Sequence, residues 1–229
     1  MGGIPGPRHR QPLTQGVDAY ELDHLAQPIR AELDAKFSAR EVGYVKSREV
    51  IRASANAIRS LHRGQWETAD ELVVKAGSTL HEVQGVLGNH PDILHAGFVH
   101  DAAKEFAEAA VCTALFRGRS LPTPSTLDVH PVAYLHGLGE AVGELRRRML
   151  DRLRDGELGI AERCLDEMDQ IVDLLADLDY PDGMTAGLRR TTDVSRALVE
   201  RSRADLTNTM VQERLRSELA ERPPDRDPG

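Results

Sequence analysis

Two pairs of glutamates stand at helical spacing in this chain: Glu105 and Glu108 in Lys104-Glu105-Phe106-Ala107-Glu108, and Glu140 and Glu144 in Glu140-Ala141-Val142-Gly143-Glu144. Each spacing puts both carboxylates on one face of a helix. Asp101 shares the face of the first pair, and so do Phe98, Cys112 and Phe116. Carboxylates threaded among large apolar residues are predicted to be partly desolvated, which is costly unless a cation or hydrogen-bond donors satisfy them. Mg²⁺ or Mn²⁺ is the kind of ion such oxygens select, and its chemistry is activation of water toward a phosphorus centre with charge stabilised on the phosphate. The second pair is less specific: His136, Glu140, Glu144 and Arg147 form a polar stripe opposite Leu138, Val142, Leu145 and Met149, as on any solvated amphipathic helix. Taken singly, either pair equally describes a surface feature or a salt-bridge partner.

Other chemistries lack their residues. A di-iron bundle needs two Glu-x-x-His pairs, and only Glu21-Leu22-Asp23-His24 has that spacing. Nucleophile elbows, phosphate-binding glycine loops and Cys/His zinc spacings are absent from the sequence. Cys112 and Cys164 both fall inside helical patterns and read as reduced core residues.

These side chains must be positioned by helices, because apolar residues recur at three and four spacing and no segment reads as a strand. The pattern predicts an all-α protein with helices over 18–35, 37–63, 66–87, 92–117, 131–154, 157–179 and 184–219. His62-Arg63-Gly64 and Gly88-Asn89-His90-Pro91-Asp92 mark two of the breaks, and Pro122, Pro124 and Pro131 bracket a loop. One domain is expected over 16–220, between a disordered arm (1–15) and a disordered tail (221–229). No apolar run is long enough to span a membrane and the first residues lack the apolar core of a signal peptide, so a cytoplasmic protein is expected.

The 229 residues carry 29 Lys plus Arg against 37 Asp plus Glu, a net charge of −8 that at first speaks against polyanionic partners. The charge is unevenly spread. From Lys36 to Trp66 seven basic residues face only Glu41 and Glu49, a local +5 that leaves −13 on the remainder. At about 100° per residue, Arg48, Arg52, Arg59 and Arg63 fall within an arc of roughly 60° along about 22 Å of helix. Val50, Ile51, Ile58 and Leu61 occupy a largely different face. Such a row is long enough to track several phosphates of a strand, and equally describes a solvated face or one paired to the acidic stretch Asp155 to Asp182.

The run Gly97-Phe98-Val99-His100-Asp101-Ala102-Ala103-Lys104-Glu105-Phe106-Ala107-Glu108-Ala109, followed by Tyr134-Leu135-His136-Gly137-Leu138-Gly139-Glu140-Ala141-Val142-Gly143-Glu144-Leu145-Arg146-Arg147, resembles the translin superfamily. Within it the likeness is to translin-associated factor X and its archaeal relatives, and it extends to Leu188-Arg189-Arg190-Thr191-Thr192-Asp193-Val194, so that it covers about Arg40 to Leu206. The resemblance implies a seven-helix bundle, a homo-oligomer that closes into a shell, typically an octamer, and binding of single-stranded RNA or DNA. A second family member as partner subunit belongs to the same expectation. In the factor X branch it implies Mg²⁺-dependent endoribonuclease activity, with Glu105 and Glu108 matching that branch's E-x-x-E. Glu140 stands where the family usually has aspartate, a side chain one methylene shorter, and Glu144 matches a glutamate shared by both branches.

The expectation is thus that Glu105, Glu108, Glu140 and Glu144 hold Mg²⁺ or Mn²⁺ and are catalytic, with water or the RNA 2′-hydroxyl attacking the phosphodiester. Arg48, Arg52, Arg59 and Arg63, with His100 and Lys104, are expected to contact the nucleic acid. His95 is a weaker candidate, placed beside a helix start where capping explains it. The rival readings are a non-catalytic module that binds single-stranded nucleic acid, an all-α Mg²⁺-dependent nucleotide pyrophosphohydrolase, and a structural role in which acidic and basic stripes join subunits.

Overall fold

The computed structural model describes residues 18–221, so the arm assigned to 1–15 and all but the first residue of the tail assigned to 221–229 lie outside the described residues. The described residues are 86% helical, with no strand among them. Among the described residues there are nine helices: α1 (Ala19–His62), α2 (Trp66–Leu87), α3 (Pro91–Leu94), α4 (Gly97–Phe116), α5 (Pro124–Leu127), α6 (Pro131–Arg154), α7 (Leu158–Asp177), α8 (Asp182–Thr185) and α9 (Leu188–Glu221). No described helix is long and apolar enough to cross a membrane.

Six of these are long, where the spacing predicts seven, because the first two predicted segments are one helix of 44 residues. The expected break at Lys36 is absent; two residues on, the Ser38 hydroxyl donates to the Asp34 carbonyl at 2.8 Å and the helix runs on. The Asp18 carboxylate caps its start by accepting the Tyr20 N–H. At its end Gly64, at φ +70°, takes the left-handed backbone that closes a helix C-terminus. The predicted segment 92–117 is divided in turn, a single turn of helix at Pro91–Leu94 preceding α4.

The fold is a bundle built around α4, the helix whose residues are buried on nearly every side. On one flank Tyr44 and His62 of α1 meet Phe98 and Phe116 edge-on, with ring centroids 5.5 and 5.3 Å apart. Those phenylalanines are eighteen residues apart, five full turns, so one line along α4 faces α1 throughout. On the other flank α6 packs through Gly137, and behind α4 the Phe106 ring reaches Gly77 of α2. The layer is completed by α7 and α9, which close the core through Met168, Leu175, Leu188 and Val199 against Leu138, Leu145 and Met149. Cys112 and Cys164 are buried thiols in this interior, on α4 and α7. The first half of α1 runs beyond the bundle, and Leu22, Leu25, Ile29, Leu33 and Phe37 are exposed along it.

Candidate metal centre

Gly137 decides how closely α6 approaches α4. A Cβ there would lie 2.6 Å from the Lys104 carbonyl oxygen and 2.8 Å from the Glu108 amide nitrogen, inside van der Waals contact with backbone that cannot yield cheaply. With glycine the two helices touch, and Glu140, one turn further along α6, is carried to the α4 glutamates. One ligand oxygen from each of Glu105, Glu108 and Glu140 lies within 4.8 Å of the other two. Asp101, on the same α4 face by spacing, is exposed and lies outside this group.

Three carboxylates this close repel one another, and their surroundings increase the cost. Glu108 is only 8% exposed. Burial first, and then the charges of Glu140, Glu105 and Glu144, push its carboxyl up to about 8. Glu105 is raised too, by burial ahead of the opposing pull of Lys104. The nearby cation is the Lys104 ammonium, which donates to Glu140 Oε1 at 2.7 Å and lies 3.4 Å from Glu105 Oε1. Burial works against that charge, yet the Glu140 hydrogen bond and the two carboxylates hold Lys104 above the usual lysine range. One ammonium for three carboxylates leaves the cluster short of positive charge. An all-oxygen donor set from facing helices, partly dry and open to solvent at Glu140, fits a hard divalent cation.

Glu144 is placed differently. His62 Nε2 lies 2.5 Å from its Oε2, a bridge from α1 to α6 across the end of the carboxylate group, and Arg147 lies 3.9 Å away. The His62 hydrogen bond, ahead of burial, holds the Glu144 carboxyl below its ordinary range. The stripe that reads as solvated on α6 is therefore largely engaged. His136 Nε2 donates to the Thr185 carbonyl at 2.9 Å, and its Nδ1 lies 2.9 Å from the Thr191 hydroxyl.

The arginine row is exposed, and among the described residues Arg48, Arg52, Arg59 and Arg63 make no ion pair. Arg59 donates to the Asn56 side chain. On α1 the row starts about 40° round from the line of Tyr44 and His62 that faces α4. Elsewhere on α1, Gly43 meets Leu87 of α2 and Lys46 pairs with Glu82, and Arg52 borders a recess shared with Leu72 and Lys75 of α2. His100 packs edge-on against His136, with centroids 5.9 Å apart, and burial, then His136, holds its imidazole below the usual range. It lies beside an apolar cleft of about 500 Å³ lined by Leu80, Val99, Ala103 and Ala133. His95 is exposed and ends α3 through its backbone N–H.

Sequence reasoning misses the partnership of His62 with Glu144, for which no local signal exists across 82 residues. It passes over Gly137 as well, although a glycine inside a helical pattern signals a close approach.

No family profile matches the chain. An uncharacterized protein of Methanocaldococcus jannaschii is 28% identical over 217 residues, covering 92% of this chain and 95% of that one. Among solved structures, AfC3PO superposes with a TM-score of 0.76 at 32% identity, covering 82% of this chain and 97% of its own. The AfC3PO complex with duplex RNA gives the same TM-score at 31% identity. Apo-NeC3PO, at 18% identity and a TM-score of 0.71, shares the fold. With that identity over nearly the whole of AfC3PO, and with the two glutamate motifs brought face to face on α4 and α6, the chain belongs to the translin superfamily.

Proposed function

We propose that the protein is an oligomeric, cytoplasmic RNA-binding protein and a Mg²⁺-dependent endoribonuclease acting on single strands. The observation that carries this reading is the convergence of Glu105, Glu108 and Glu140 within 4.8 Å. A relative crystallised with duplex RNA supports RNA as the ligand class. Glu105, Glu108 and Glu140 would hold the ion, Mg²⁺ or Mn²⁺. When bound, it supplies Lewis acidity toward a phosphodiester oxygen and charge to offset the developing phosphorane.

The residues of the chain do the rest. His62 fixes Glu144, and through it the middle of α6 beside the ligand cluster. Lys104, beside Glu140 and Glu105, would supply a counter-charge to the phosphate. His100, held neutral, serves as a hydrogen-bond donor to the strand and not as a cation. Arg48, Arg52, Arg59 and Arg63 set the strand along the α1 edge.

The direct test is incubation of purified protein with end-labelled single-stranded RNA in Mg²⁺ or EDTA. Cleavage only with Mg²⁺ agrees with the reading; intact RNA that is nevertheless bound reduces the protein to a binding module. The arginine row has its own test. Arg52→Glu with Arg59→Glu is expected to weaken RNA affinity about 100-fold at moderate salt and to flatten the dependence of log Kd on log salt by at least two phosphate contacts. An unchanged affinity with a smaller particle by light scattering would instead make the row a subunit contact.

A further inference from the structure

Beyond the His62–Glu144 bridge, where α4 ends at Phe116, α1 and α6 enclose a recess of about 100 Å³. Its walls include His62, Trp66, Phe116, Arg148, Asp151 and Arg152. Two of the charged residues are already engaged: Arg152 with Glu157 and Asp155 at 2.8 and 3.2 Å, and Asp151 with Arg154 at 3.1 Å. Arg148 is not. Its guanidinium carbon lies 4.4 Å from the Phe116 ring centroid; the side chain is half-buried, lies within reach of the Glu167 charge, and makes no hydrogen bond or ion pair among the described residues. The aromatic contact holds the guanidinium while its N–H donors stay without an acceptor, free for a planar or tetrahedral oxyanion.

We infer that Arg148 forms a phosphate subsite for the bound RNA strand, in register with the carboxylate cluster. This rests on the nucleic-acid reading above and adds where the strand runs. Arg148 is eight residues beyond Glu140 on the same helix, about 12 Å along its axis. A strand with its scissile phosphate at the glutamates covers that distance in roughly two nucleotides. It passes over His62 and Glu144, with Arg147 and Arg63 at its edges. The Trp66 indole in the same recess offers an apolar face to the adjoining sugar or base.

Trp66 is the sole tryptophan of the chain, so its fluorescence reports on this recess alone. The experiment titrates single-stranded RNA oligonucleotides of two and of eight nucleotides into full-length protein in EDTA, following Trp66 emission and, separately, the anisotropy of a labelled strand. The octanucleotide is expected to change Trp66 emission in the wild type. Arg148→Met, which keeps apolar bulk over Phe116, is expected to bind the octanucleotide about tenfold more weakly, with the salt slope reduced by about one phosphate. Arg148→Lys should recover part of the loss, and the dinucleotide should bind both variants as it binds wild type. Mn²⁺ affinity should be the same in all three proteins. The subsite is overturned if the octanucleotide binds by anisotropy with Trp66 silent, or if Arg148→Met binds it as tightly as wild type. Absence of RNA binding in the wild type would overturn the nucleic-acid reading and the subsite together.

Discussion

Glu108→Gln is expected to leave the protein without metal about as stable as wild type near pH 4, increasingly more stable than wild type as pH rises from about 5 to about 8, and unable to bind Mn²⁺ measurably. Glutamine has nearly the shape of the protonated carboxyl, which is the form that predominates at pH 7 for a group pushed up to about 8. The sign follows from linkage. A carboxyl raised in the folded state holds its proton where the unfolded chain has released it, so this group's contribution is complete below the ordinary glutamate pKa and is lost as pH rises through about 8. Wild type without metal should therefore lose on the order of a few kcal/mol between about pH 5 and 9 from this residue, and Glu108→Gln should lose much less. Thermal denaturation in EDTA across that range reads the difference. A divalent ion reverses the trend, since it requires the carboxylate: Mn²⁺ affinity in wild type should climb as pH rises toward 8, with protons released on binding. An affinity independent of pH would show that Glu108 is not a ligand.

Gly137→Val is expected to be the most damaging single change to the helix pair. The first added carbon already overlaps the Lys104 carbonyl and the Glu108 amide, and the branched side chain adds to it. Overpacking of this kind costs about 3 kcal/mol, which for a chain of this size lowers Tm by roughly 6–12 °C. The more informative effect is on the cluster: a protein that still folds must part α4 from α6, carry Glu140 away from Glu105 and Glu108, and lose Mn²⁺ affinity by more than its loss of stability explains. Gly143→Ala provides the contrast. A Cβ there meets nothing within 4 Å, so that variant should be stabilised by a few tenths to about 1 kcal/mol through helix propensity and bind Mn²⁺ as wild type does. If Gly137→Val bound metal normally, the close approach of the helices would not be what assembles the site.

The all-α architecture was legible in the spacing of apolar residues, and the cap and break signals located most helix ends. Where reading and structure part, the cause is something no local signal decides. The break expected at residue 36 does not occur, and α1 runs through Ser38, whose hydroxyl donates back to the Asp34 carbonyl. Asp101 satisfies the face arithmetic of Glu105 and Glu108 yet is exposed, because it stands a full turn nearer the start of α4 than the close approach made by Gly137. Helical spacing identifies neighbours on one helix and is silent about which turn meets the next. For the same reason Glu144 reads as equivalent to Glu140, while His62, arriving from α1, binds it. The net charge of −8 was the least informative figure in the sequence. Its division into an exposed arginine row on α1 and a carboxylate group between α4 and α6 is what the functional reading uses.

The measurement that bears most directly on that reading is cleavage of single-stranded RNA as a function of Mn²⁺ concentration, alongside Mn²⁺ binding by electron paramagnetic resonance on the same samples, for wild type and for Glu105→Ala with Glu108→Ala. Cleavage and binding are expected to saturate over the same concentration range in wild type and both to be lost in the double variant, with RNA affinity retained. Cleavage that persists in EDTA, or a double variant that binds Mn²⁺ and cuts RNA as wild type does, would contradict it.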